Sequence, residues 1–146
     1  MATYMQGALK SGSNASEYST DVGYAVFART VLLDFTAEAG GGSDNVDATI
    51  ALPTGSQIHS INVDTLTAWD SVTSASLTIG TSAGGAEFYD ATDVKSAGRE
   101  ATALSAADLA LWDDVGSTST LYVRVAQVGN TTAGQARVTV LYSPKS

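Results

Sequence analysis

The feature that most restricts this chain is an alternation of apolar and polar residues with a period of two. In Asn45–Leu52, Val46, Ala48, Ile50 and Leu52 share one side, and Asn45, Asp47 and Thr49 share the other. Successive side chains of a strand point to opposite faces, so this pattern predicts a strand with one buried face. Ile58–Thr67 repeats it, with Ile61, Val63 and Thr65 inward and Asn62 and Asp64 outward. Ser74–Gly80 sets Ala75, Leu77 and Ile79 on one face. Thr120–Gln127 sets Leu121, Val123 and Val125 inward, and Gln135–Tyr142 does the same with Val138, Val140 and Tyr142. Ala25–Phe35, rich in Val, Phe and Leu, reads as a further strand, and Ala86–Tyr89 as a short one.

The connections carry turn chemistry. Gly40-Gly41-Gly42, Pro53-Thr54-Gly55, Gly80–Gly85 and Gly129–Gly134 supply backbone freedom and a preset φ where the chain reverses. The last of these joins two alternating segments, which read as the clearest hairpin of the chain. Asp90–Leu104 has no clean period and reads as a long excursion. Ser105 followed by Asp108 has the form of a capping box and predicts one short helix over Ala106–Trp112. About seven strands without intervening helices predict an all-β fold, an antiparallel β-sandwich of jelly-roll-like form. Residues 1–23 are polar and Ser-rich and read as an extended N-terminal arm; residues 24–146 read as one sandwich domain.

Composition narrows the chemistry. Cysteine is absent and His59 is the lone histidine, so disulfides, Cys-ligated metals, thiol nucleophiles and paired-histidine sites are excluded. Fifteen acids against seven bases give a net charge of −8. Between Thr30 and Val94 there are nine acids and no Lys or Arg. Phosphate backbones are held chiefly by Lys and Arg, so nucleic acid and anionic membrane are not expected partners. No apolar run is long enough for a membrane helix, and the first residues lack the basic and apolar regions of a signal peptide.

The candidate catalytic patterns are thin. Gly80-Thr81-Ser82-Ala83-Gly84 matches the nucleophile elbow G-x-S-x-G. The elbow needs a strand-to-helix turn and a later histidine, whereas His59 comes earlier. The pairs Asp44/Asp47, Asp90/Asp93 and Asp113/Asp114 have carboxylate chemistry but no EF-hand spacing. Tyr18, Tyr24, Trp69, Tyr89, Trp112, Tyr122 and Tyr142 include candidates for a sugar-stacking platform, with core packing as the default. No catalytic, cofactor-binding or metal residue is assigned, and no enzyme activity or cofactor is expected.

Four segments carry a resemblance. They are Leu52-Pro-Thr-Gly-Ser-Gln-Ile-His-Ser-Ile-Asn-Val-Asp64, Ala75-Ser-Leu-Thr-Ile-Gly80, Tyr89-Asp-Ala-Thr-Asp-Val-Lys-Ser-Ala-Gly98 and Ala133-Gly-Gln-Ala-Arg-Val-Thr-Val-Leu-Tyr142. Over Asn45 to Tyr142 the chain resembles small β-rich virion proteins of tailed bacteriophages, of the head decoration (cement) type. The resemblance implies a structural protein on the outer capsid surface, made in the host cytoplasm and without catalytic residues. It implies two partners, the major capsid protein and further copies of the chain in a homotrimer. The alternative is a phage tail or fibre component, or a carbohydrate-binding sandwich, which would need exposed aromatic rings.

Overall fold

The computed structural model describes residues 25–37, 45–101, 105–118 and 120–144. They form eight strands: β1 (Phe27–Asp34), β2 (Val46–Ala51), β3 (Gln57–Thr67), β4 (Ser74–Gly80), β5 (Tyr89–Asp93), β6 (Gly98–Ala101), β7 (Thr120–Val128) and β8 (Gln135–Ser143). A single 3-10 turn, Phe35–Ala37, follows β1, and one helix, α1 (Ala106–Asp113), lies between β6 and β7. The expected arm, residues 1–23, and its boundary with the domain lie outside the described residues.

The strands make two four-stranded sheets. The first has the order β1-β8-β3-β6 and the second β2-β7-β4-β5, with every pair antiparallel. Strand 1 thus pairs with 8, 2 with 7, 3 with 6 and 4 with 5. That is the pattern of one long antiparallel ribbon rolled over on itself, with β4 and β5 at its closed end. The fold is an antiparallel sandwich with jelly-roll pairing.

The alternation read from the sequence is the burial pattern of the inner strands. Val46, Ile50, Ile61, Val63, Leu77, Ile79, Leu121, Val123, Val125, Val138 and Val140 are buried between the sheets. Hydrophobic burial along both inner faces supplies the main driving force for the sandwich. Trp69 and Phe88 close the core beyond the strand ends, each almost without exposure.

The hairpin expected from Thr120–Gln127 and Gln135–Tyr142 does not form. β7 pairs with β2 and β4, whereas β8 pairs with β1 and β3, in the other sheet. Alternation tells which face of a strand is buried, not which strand lies beside it. The connection between them crosses from sheet to sheet, a step of about 10 Å. It is held by Asp70, whose carboxylate accepts from the Thr132 amide at 2.8 Å, the Ala133 amide at 3.0 Å and the Thr132 hydroxyl. The buried Ser71 and Thr131 hydroxyls meet at 2.7 Å. Gly134 ends the crossing flat against Trp69: a Cβ there would lie 2.4 Å from the indole, so only glycine fits.

Two further expectations are corrected. The strand expected over Ala86–Tyr89 is displaced to Tyr89–Asp93, and the expected excursion contains both β5 and β6, so eight strands stand where about seven were expected. Both are sheet edges, and β6 is exposed at every residue. A strand with no buried face has no reason to alternate. The helix, in contrast, starts where the capping box placed it. The Ser105 hydroxyl accepts from the Asp108 amide at 3.2 Å, and the Asp108 carboxylate accepts from the Ser105 amide at 2.9 Å. α1 runs one residue past the expected end and buries Trp112, whose indole N–H donates to the Phe88 carbonyl at 3.1 Å.

Candidate functional site

The residues singled out for chemistry are scattered. Ser82 lies in the turn between β4 and β5, a strand-to-strand turn rather than a strand-to-helix elbow. Glu87 closes that turn by accepting from the Thr81 amide at 2.9 Å, which lowers the carboxyl's pKa. His59 sits on β3 in the opposite sheet, hydrogen-bonded to the Ser143 hydroxyl at 2.9 Å. The nucleophile pattern and the histidine therefore never meet.

The carboxylate pairs have local work. Asp90 accepts from the Ala91 amide at 2.8 Å, and Asp93 from the Lys95 amide at 2.8 Å. Asp113 accepts from Gln57 at 3.0 Å, and Asp114 from the Gly116 amide at 2.8 Å. Asp44 lies outside the described residues, as do Tyr18 and Tyr24. Among the described residues no three potential metal ligands gather, and no helix is long and apolar enough to cross a membrane. Trp69, Trp112, Tyr89 and Tyr142 are buried, so none offers a ring face to a sugar. Tyr122 is the exposed aromatic among the described residues of the group, 37% accessible. It borders an open depression of about 340 Å³ on the outside of the second sheet, with Asp47, Ala48, Thr49, Ala83 and Val123.

The outer faces carry two charge clusters that the alternation alone did not reveal. On the first sheet, Asp64 projects outward from β3 as expected, yet it is only 6% exposed. Two guanidinium groups cover it. Arg99 of β6 donates from Nε to Oδ1 at 2.5 Å and from Nη2 to Oδ2 at 3.0 Å. Arg137 of β8 donates from Nη2 and Nε to Oδ2 at 2.9 and 3.2 Å. Hydrogen bonds from Arg99 and then Arg137 hold the Asp64 carboxyl down at about 2. On the second sheet, Arg124 of β7 grips Asp47 of β2 bidentately at 2.6 and 2.7 Å, and Asp47 is held below its usual range. The cross-strand register gives these partners: Asp64 lies opposite Arg99 and Arg137, and Asp47 opposite Arg124. Register is not written in the amino-acid sequence, so these partners are not legible there.

Besides Leu66 and Leu109, exposed aliphatic and phenyl side chains form two groups. Val26 (58%) just precedes β1 and Phe27 (49%) and Leu32 (52%) lie on it, and Val72 (74%) and Val128 (54%) share one corner of the sandwich. Phe27 to Thr30 are exposed on both faces of the strand, so the core does not cover the first half of β1. Uncovered apolar surface at an edge of this kind suits contact with other proteins.

No protein-family model matches the chain, and no curated protein matches it. Among solved structures it is similar to a chain described as "Cyanophage Pam1 capsid asymmetric unit", with 23% sequence identity and a TM-score of 0.56. The match covers 99% of this chain and 98% of that one. At this identity the likeness shows a shared fold.

Proposed function

We propose that this chain is a structural component of a phage virion: a decoration protein that binds the outer capsid surface and stabilises the shell by bridging capsomers. The observation that carries the reading is the fold shared end to end with a chain of a phage capsid asymmetric unit. The resemblance of Asn45 to Tyr142 to phage decoration proteins points the same way. So does the scatter of the candidate catalytic residues, which leaves an inert block with uncovered edges. The acidic surface, −8 overall, suits the outside of a shell better than its DNA-filled interior.

The mechanism is linkage. A protein that binds the assembled lattice and not the separated capsomers shifts the equilibrium toward the assembled shell. Copies held by lattice symmetry act at high effective concentration, so each contact can be weak. In this reading the sandwich self-associates as a trimer and residues 2–23 reach a neighbouring molecule.

The experiment uses phage particles from which the gene has been deleted. Added purified protein is expected to co-sediment with them at a fixed, saturable ratio and to raise the temperature at which they release DNA. Particles that neither bind it nor gain thermal resistance overturn the proposal. Glycan binding abolished by Tyr122→Ala, with no particle binding, would favour the carbohydrate-binding alternative.

A further inference from the structure

We infer that the edge of β1, which no other described strand covers, receives residues 2–24 of a second copy of this chain as an added strand. The inference rests on the reading that the N-terminal segment reaches a neighbour, and it names the surface that takes it.

Two four-stranded sheets have four edge strands, here, among the described residues, β1, β6, β2 and β5. Each presents a row of backbone N–H and C=O groups to which a foreign strand can add, and folded proteins blunt such edges. Three of the four are blunted. β6 has four residues and carries Arg99 and Glu100. β5 has five, exposes Asp90 and Asp93, and meets β4 through an irregular register. β2 has six, bears Asp47, and exposes no large apolar side chain.

β1 is different. It is eight residues long, lacks Pro, and keeps an unbroken register with β8 from Phe27 to Asp34. Phe27 and Leu32 make it the one edge strand with large exposed apolar side chains among the described residues, and Val26 just before it adds a third. Phe27 and Leu32 also lie on opposite faces, so an added strand would cover both. Main-chain hydrogen bonds would supply affinity, and alternate side chains would supply fit.

Chain length supports a second copy as the occupant. Twenty-four residues precede Ala25 and enter β1 at its exposed end. Extended, they span up to roughly 80 Å, against about 26 Å for the eight residues of β1. The segment can therefore leave its own sandwich and still run the length of a neighbour's β1. It carries apolar residues of its own at Tyr4, Met5, Leu9, Tyr18 and Val22. Giving one segment and receiving one closes as a reciprocal dimer, or as a ring where each copy gives to the next and the rotation closes.

Two variants test this by complementation. Ala28→Lys with Leu32→Lys places lysines on the outer face of β1 at exposed positions and keeps the N-terminal segment. Deletion of residues 2–23 keeps the edge and removes the segment. In solution the parent is expected to run as a multiple of 14.9 kDa and each variant as a single chain with an unchanged circular dichroism spectrum. Mixed, the two variants are expected to form a one-to-one complex, since one supplies the segment and the other the edge. A monomeric parent, a variant that keeps the parental mass, or a mixture that stays monomeric overturns the inference. A segment that pairs with its own chain would give the first of these results, a monomeric parent. Particle binding is read separately, so a self-associating protein that ignores particles would sink the virion reading alone.

Discussion

Asp64 and Asp47 occupy matching places, one on the outside of each sheet, and they are held differently. Asp64 stands on β3, a strand with neighbours on both sides, and takes an arginine from each. Asp47 stands on the edge strand β2 and can be reached from β7 alone. The Asp64 side chain is 8% exposed, and that of Asp47 is 47% exposed. The same ion pair is thus a covered three-membered cluster in one sheet and a wet surface pair in the other. Strand position, not residue type, decides how far solvent screens the interaction.

The largest expected effect is at Asp64. Removing it by Asp64→Ala leaves two guanidinium groups facing each other across a covered site. Breaking a fully buried pair is far more costly than breaking an exposed one. Here both arginines reach solvent, which discounts the loss to about 2 kcal/mol, or a Tm lower by about 6 °C in a domain of this size. Calorimetry checks it, and a Tm shift as small as that of Asp47→Ala would erase the contrast between the two sheets.

The same contrast has a pH form. Asp64 is lowered in the folded protein from 3.8 to about 2, so it stabilises the fold fully above its unfolded value. That contribution fades as pH falls from about 4 through about 2. The Tm difference between parent and Asp64→Asn is expected to be full at pH 6 and to shrink steadily below pH 4. A difference that is constant from pH 6 to pH 2 would show that the carboxylate's charge is not what the arginines hold.

The two arginines on Asp64 are themselves unequal. Arg137 lies on the interior strand β8 with a 43% exposed side chain, and Arg99 lies on the short edge strand β6 with 65%. Arg137→Ala is expected to cost about 1 kcal/mol in urea unfolding, since its stem also covers the sheet. Arg99→Ala is expected to cost less. The reverse order would place the anchoring contact at the sheet edge.

How these contacts arise also marks what the sequence could say. The inner strands were legible because each writes its buried face into its own residues: Val46 and Ile50, Leu121 to Val125, Val138 to Tyr142. The helix start was legible because Ser105 and Asp108 complete each other within four residues. β5 and β6 were not, because nothing about them is buried on a period. The supposed β7–β8 hairpin failed because pairing depends on where Asp70 and Trp69 hold the crossing, some 60 residues earlier in the chain. Asp64 was correctly placed facing outward, but its cover comes from Arg99 and Arg137, 35 and 73 residues away. The free edge of β1 belongs to the same class, since only the strand order shows which strands are edges.

The smallest expected effect is at Asp47, and salt is what isolates it. A partly exposed bidentate pair contributes about 0.5 kcal/mol at low ionic strength. In a double-mutant cycle of Asp47→Ala with Arg124→Ala, the coupling is therefore expected near that value in 20 mM salt. It is expected to fall toward zero at 1 M, where the Debye length is about 3 Å. The Asp64–Arg137 cycle, run beside it, is expected to keep most of its coupling, because Asp64 has little contact with solvent. Arg124 does more than pair with Asp47: its guanidinium lies 3.3 Å from the point where a Cβ on Gly84 would sit. Arg124→Ala alone thus also loosens the β4–β5 turn. The cycle removes that part, since it appears with or without Asp47. Equal salt sensitivity in the two cycles would mean that water reaches both carboxylates alike, and the burial of Asp64 would then have no energetic consequence.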